Sequence, residues 1–182
     1  MNNIWSKTIL QVYKYLPRIA RTYDKLIISK AVNSQFTNNS NINLFSTETV
    51  TDAIINLSQR KITLINLKLL TEKALKSIKP SLARVLILKF IDGKRCIDLA
   101  DRLGVCLRTV FRKINSALDS FSLALKRLGY TEEKIEKMLI SEKWITQVHK
   151  HFEKSDLSLI ENDDIKVTIK TSVMMDLKAS SF

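Results

Sequence analysis

With 182 residues, of which 45% are hydrophobic and 26% charged, the chain can bury one core with extensions and reads as one or two domains. A formal net charge of +12 and a pI of about 9.8 favour polyanionic partners. Two cysteines, Cys96 and Cys106, are too few and wrongly spaced for zinc, and no apolar run approaches the roughly eighteen residues that span a bilayer.

Taken in order, Ile4, Trp5, Ile9, Val12, Tyr13 and Leu16 form a helical stripe that should stop at Pro17. A second helix is expected from there to about Val32, burying Ile19, Tyr23, Leu26 and Ile27. Lys7, Lys14, Arg18, Arg21 and Lys25 make the pair basic as well as amphipathic, and packing onto the remaining helices or onto a partner is its expected use. From Asn33 to Ser46 the composition turns to Gln, Thr, Ser and five asparagines, which favour turns and offer little to bury, so this stretch reads as a linker. Helix returns near Thr49 with Val50, Ala53, Ile54 and Leu57. A longer run then carries Ile62, Ile65, Leu69, Leu70, Ala74 and Ile78, too much apolar surface for an isolated helix and suited to covering Leu82 to Ile91.

Backbone punctuation is concentrated between Pro80 and Gly129. All three glycines, Gly93, Gly104 and Gly129, lie there, and Pro80 opens the stretch. Glycine takes the positive φ that follows a helix end, and proline suits a first helical turn. Leu82, Val85, Leu86 and Phe90 hold one helical face, with Ile87, Leu88 and Ile91 apolar around it. Ile97, Ala100 and Leu103 give a short helix ending at Gly104, with Val105 placed to plug the gap between helices. A third helix begins near Cys106 and repeats Val110, Ile114, Ala117, Phe121, Ala124 and Leu128. The segment therefore reads as helix, turn, short helix, tight turn, long helix, the plan of a helix-turn-helix unit.

If Val110 and Ile114 face inward, a turn of about 100° per residue puts Arg108, Arg112 and Asn115 on the solvent face of the third helix. Arg can bond a guanine edge bidentately and Asn an adenine edge, while Thr109 and Lys113 at the margins can hold phosphates. Within Lys79 to Tyr130 eleven basic residues face four acidic ones, so more than half of the chain's positive excess sits in less than a third of its length. Leu118, Phe121, Leu125 and Leu128 lie beyond the part that fits a groove and could pack internally or against a second copy, which makes a homodimer a candidate assembly.

The run from Gly93 to Leu118, GKRCIDLADRLGVCLRTVFRKINSAL, resembles the region-four helix-turn-helix of sigma-70 family RNA polymerase sigma factors. The matches are Gly93, Asp98, Leu99-Ala100, Leu103-Gly104-Val105, Thr109-Val110, Ile114 and Ala117, with the helix from Ser81 to Phe90 in its place before them. The resemblance covers Pro80 to Gly129. It implies double-stranded DNA as partner, base-facing positions for Leu107, Arg108 and Arg112, and a first helix that can touch RNA polymerase; Phe111 completes the DNA-binding set. The chain departs from the family at both helix starts, where Arg95 and Cys106 replace the usual Ser or Thr. A lost cap typically costs about 1 kcal/mol, so these starts are expected to fray or to borrow other caps.

After Gly129, Thr131 with Glu132 and Glu133 marks a helix start, a hydroxyl cap followed by acid near the positive end of the dipole. Ile135, Met138, Leu139, Ile145, Val148 and Phe152 continue this helix. His149 and His151 diverge on a helix and read as solvated polar residues, not as a metal pair. Beyond Ser155 periodicity fades: Glu161, Asp163 and Asp164 form an acidic patch, and Ile165 to Phe182 fits a short strand, a docking segment or disorder.

The expected fold is all-α, a helical bundle containing a helix-turn-helix DNA-binding unit. Its parts are residues 1–46 (helical pair and linker), 47–154 (helical domain) and 155–182 (tail). Met1 to Ser6 lacks the start of a secretory signal, so a cytoplasmic location is expected, with the cysteines reduced and partly buried. No phosphate loop, metal motif or nucleophile elbow is present, so neither catalysis nor a cofactor is expected. Three readings follow: a sequence-specific DNA-binding transcription factor, acting as regulator or partial sigma factor; a helical interaction module such as a sigma or polymerase antagonist; and a DNA-binding accessory of a plasmid or phage. The aromatics Trp5, Tyr13, Tyr15, Tyr23, Phe36 and Phe45 lack the clustering of a promoter-melting region two.

Overall fold

The structure, a computed structural model, describes residues 3–37, 47–154, 167 and 169–175. Among these residues every regular element is a helix and no strand occurs. Helix α1 (Ile4–Val12) passes through a short 3-10 turn (Tyr13–Tyr15) into α2 (Leu16–Thr37), and Pro17 sits in the first turn of α2, where its missing N–H costs nothing. Helix α2 does not stop near Val32 but runs on through Asn33 and Gln35 to Thr37. The remainder of the expected linker, 38–46, lies outside the described residues.

Helix α3 is one continuous rod, Thr47–Ser77, of 31 residues. It packs chiefly against α2. The Tyr13 hydroxyl donates to Glu72 at 2.9 Å, and Lys61 pairs with Asp24 at 2.6 Å. As one partner advances from 13 to 24 the other retreats from 72 to 61, so α2 and α3 run antiparallel. Burial and the Glu72 carboxylate push the Tyr13 phenol up to about 12.

Helix α4 (Pro80–Leu86) continues into a π-helical turn, Ile87–Ile91, in which Asp92 N–H donates to the Ile87 carbonyl at 2.9 Å. Val85 and Leu86 in α4 and Leu88 and Phe90 in the π-helical turn are all buried, which requires apolar cover on more than one side. That cover comes mainly from α6 (Leu107–Arg127) and α1. Helix α3 touches α4 but packs chiefly on α2, and Ile62, Ile65 and Leu69, expected to need cover, stay exposed.

Helix α1 is the most enclosed element, with every residue from Trp5 to Val12 buried between α8 (Lys143–Lys154), α6, α3 and the π-helical turn. Its polar residues are therefore core residues. The Thr8 hydroxyl is satisfied by the Ile4 carbonyl at 2.9 Å, and burial holds the Lys7 amine below its ordinary value. One continuous core links Trp5, Ile9 and Leu16 with Leu64, Leu86, Leu99, Phe121, Ile135, Val148 and Ile169.

Helix α7 (Glu132–Leu139) starts as its sequence indicates, with the Thr131 hydroxyl accepting from Lys134 N–H at 3.4 Å. The expected single helix then breaks: α8 (Lys143–Lys154) begins afresh after Ile140–Glu142. At the break Glu142 turns inward and is fully buried. Its carboxylate accepts from Arg60 Nε at 3.0 Å, Tyr23 Oη at 2.9 Å and Trp144 Nε1 at 2.9 Å. The Arg60 guanidinium also donates to Tyr23 Oη at 2.6 Å and lies over the tyrosine ring. A charge taken from water needs several partners, and here three elements supply them.

His149 is not a solvated residue. Its ring stacks on Trp5 with centroids 3.8 Å apart and planes 15° from parallel, and Nδ1 lies 3.4 Å from the Thr8 hydroxyl. In the tail, 169–175 are helical rather than a strand and insert Ile169 and Ser172 into the protein interior. The acidic patch and the last residues of the tail lie outside the described residues.

Candidate nucleic-acid interface

Helix α5 (Cys96–Leu103) follows Arg95, whose side chain has no acceptor for the free N–H groups of a helix start. Asp98 supplies the missing acceptor for the residue before the helix. Its carboxylate takes the Arg95 backbone N–H at 3.2 Å and the Arg95 guanidinium at 3.3 Å. Those hydrogen bonds from Arg95, side chain first and backbone second, hold Asp98 below the usual carboxylate range.

Gly104 ends α5 at φ 60 and ψ 36, and Val105 N–H donates back to the Ala100 carbonyl at 3.1 Å. Nothing lies within 4 Å of where a Cβ on Gly104 would be, so glycine is required there by the backbone angle and not by crowding. Val105 packs against the core between the helices. Three residues after Leu103, Cys106 opens α6 (Leu107–Arg127) in extended geometry. Its Sγ lies 3.3 Å from the Thr109 hydroxyl, in the place of a Ser or Thr cap. Hydrogen bonds from the Thr109 hydroxyl, then from the backbone there, hold the thiol below its ordinary pKa. Both unconventional helix starts thus borrow polar contacts from the residue three positions on. Cys96 is half-buried as expected; Cys106 is exposed, because a residue ahead of the first turn projects away from the core.

Helix α6 divides sharply. Val110, Ile114, Ala117, Leu118, Phe121, Ala124 and Leu125 are buried against α4, α5, α3 and α1. Leu118, Phe121 and Leu125 therefore pack internally, while Leu128 stays 39% exposed. On the opposite side Arg108, Arg112, Lys113 and Asn115 are exposed, and Thr109 is half-buried at the margin. Leu107 is 43% and Phe111 47% exposed. No salt bridge joins Arg108, Arg112 or Lys113 to a carboxylate among the described residues.

Sequence reasoning omitted one contributor to this surface. Ser116 is exposed four residues after Arg112 and extends its row, a position that helical spacing alone reveals. Lys94 and Arg102, already counted in the basic excess, are exposed just before α5 and in its last turn. The arrangement offers two guanidiniums and an amide on one convex ridge, with ammonium and hydroxyl groups beside it. Such a ridge can bond base edges and phosphate oxygens.

Among the described residues no helix is long and apolar enough to cross a membrane. No known protein family, curated protein or solved structure matches the chain.

Proposed function

We propose that the chain is a sequence-specific double-stranded DNA-binding protein acting in transcription, with α5 and α6 as a helix-turn-helix of the sigma-70 region-four kind. In this reading α6 enters the major groove by its N-terminal half, and α5 lies across the backbone. Arg108 and Arg112 read guanine, Asn115 reads adenine, and Lys113 and Thr109 hold phosphates. The observation that carries it is the division of α6: Val110 and Ile114 anchor its first turns in the core, and the same turns turn Arg108, Arg112 and Asn115 to solvent. The excess of basic residues between Lys79 and Tyr130 adds the attraction that any duplex ligand exploits.

The test is selection of bound sequences from a random duplex library by the full chain, with and without RNA polymerase core enzyme. Enrichment by the chain alone identifies an independent regulator, and enrichment only with the enzyme identifies a partial sigma factor. No enrichment in either arm refutes DNA reading and leaves the interaction-module alternative.

A further inference from the structure

We infer that the DNA site of this chain contains thymine, read through its 5-methyl group by Phe111 and Leu107. This rests on the duplex-DNA reading above and deepens it. Leu107 and Phe111 stand four residues apart on α6, and each leaves nearly half its surface in water although the core lies on the adjoining side of the helix. At about 100° per residue Phe111 is about 40° from Asn115 and about 60° from Arg108, so it borders the polar ridge directly, while Leu107 lies about 40° further toward the core side.

An apolar tip beside guanidiniums is poorly served by phosphate or by a guanine edge, which offer only hydrogen-bonding atoms. In the major groove one base presents an apolar group, the methyl of thymine. A purely apolar partner surface would bring nothing to meet Arg108 and Arg112, both exposed on the side of the helix next to Phe111. A thymine-containing duplex brings both the methyl and the anionic backbone. Side chains at this spacing lie about 5–6 Å apart. That is less than two base steps of about 3.4 Å, so the methyls they cover lie no more than two steps from each other.

The decisive change is made on the DNA. Duplexes recovered by selection with the full chain are resynthesised with deoxyuridine in place of one thymine at a time, which keeps the pairing and removes the methyl. Binding is expected to weaken about fourfold at one or two positions no more than two steps apart, the equivalent of about 0.8 kcal/mol for one buried methyl-sized group. Phe111→Ala and Leu107→Ala should each bind the thymine and uracil duplexes equally at the position that side chain covers. Arg108→Ala should keep the thymine preference. A defined selected site without thymine, or one indifferent to uracil throughout, overturns the proposal and leaves DNA reading intact. So does a thymine preference that survives both alanine variants. Failure to enrich any sequence overturns both.

Discussion

Arg60 and Glu142, separated by 82 positions in the chain, form a 3.0 Å ion pair with side-chain exposures of 8% and 0%. The pair fastens α3 to the turn between α7 and α8, and Tyr23 and Trp144 complete the coordination of the carboxylate from α2 and α8. The break between α7 and α8 is the backbone consequence. A continuous helix would carry residue 142 round with its neighbours, whereas here Glu142 points inward and its carbonyl accepts the first N–H groups of α8, from Ile145 at 2.9 Å and Thr146 at 3.3 Å.

Removing one member of this cluster leaves the other charge buried and unpaired. Arg60→Ala or Glu142→Ala should each destabilise the protein by about 3–5 kcal/mol. The double variant should cost clearly less than the sum of the two, because neither orphan charge remains. Urea unfolding followed by circular dichroism measures all three. Strict additivity would show that the two side chains do not act as a pair.

How far the sequence revealed this architecture depends on where the determinants lie. Between Pro80 and Gly129 the determinants are local: Pro80 in a first turn, Gly104 at φ 60, Gly129 at φ 81 and alternating inner and outer faces on α6. Helix boundaries and the exposed ridge could therefore be read from spacing. The α7–α8 break has no glycine or proline to mark it, and its cause, Arg60, is remote in sequence. Propensity likewise misplaced the end of α2. Asn and Gln disfavour helix by only tenths of a kcal/mol, and the α2 rod continues through them to Thr37. The burial of His149 required knowing that α1 is enclosed on all sides, which its own stripe of residues does not state.

That burial makes stability depend on pH. His149 has a side chain 15% exposed, and desolvation against Trp5 lowers its native pKa from the ordinary 6.5, although Glu153, Glu136 and Glu132 oppose the shift. Between the native value and 6.5 the unfolded chain binds more protons than the folded one, so stability rises with pH across that window. The contribution is complete above 6.5 and is lost as the pH falls through the native value. Urea midpoints taken from about pH 8 down to about pH 5 should decline, and His149→Phe, which keeps an aromatic stack on Trp5, should flatten the part of the decline nearest neutrality. An unchanged slope in that variant would assign the dependence to other groups.

At Gly104 the backbone angle, not space, limits substitution. Gly104→Ala should cost about 1–2 kcal/mol, the penalty of a Cβ in left-handed geometry. Gly104→Asn should cost less, since asparagine visits that region more readily. Because no atom lies within 4 Å of the added carbon, the alanine variant should fold with the same helix content. Thermal unfolding gives the cost, and a penalty as large for Asn as for Ala would contradict the conformational explanation.

Cys106 should react with a thiol reagent well before Cys96. It is exposed, and its thiol is held below the ordinary value by Thr109, whereas Cys96 is half-buried. Thiolate is the reacting species, so both exposure and the lowered pKa act in the same direction. Mass spectrometry after brief alkylation of the folded protein identifies the first site modified. Thr109→Val removes the hydroxyl contact at 3.3 Å and should slow the reaction near neutral pH. Earlier labelling of Cys96 would mean that the start of α6 is more enclosed than its geometry indicates.

The polar ridge of α6 separates base reading from simple charge attraction. Arg108→Ala or Arg112→Ala should weaken binding to a selected site by about 1–3 kcal/mol and relax preference at one base, with a smaller effect on random duplex. Lys113→Ala, at the edge of the ridge, should weaken all sequences alike and reduce the salt dependence by about one unit of slope. All three residues are exposed, so none of the substitutions disturbs the core formed by Val110 and Ile114. Titrations at several salt concentrations on cognate and random duplexes distinguish the two kinds of contact. Equal losses on both duplexes for all three variants would reduce the interface to electrostatics and remove Arg108 and Arg112 from base recognition.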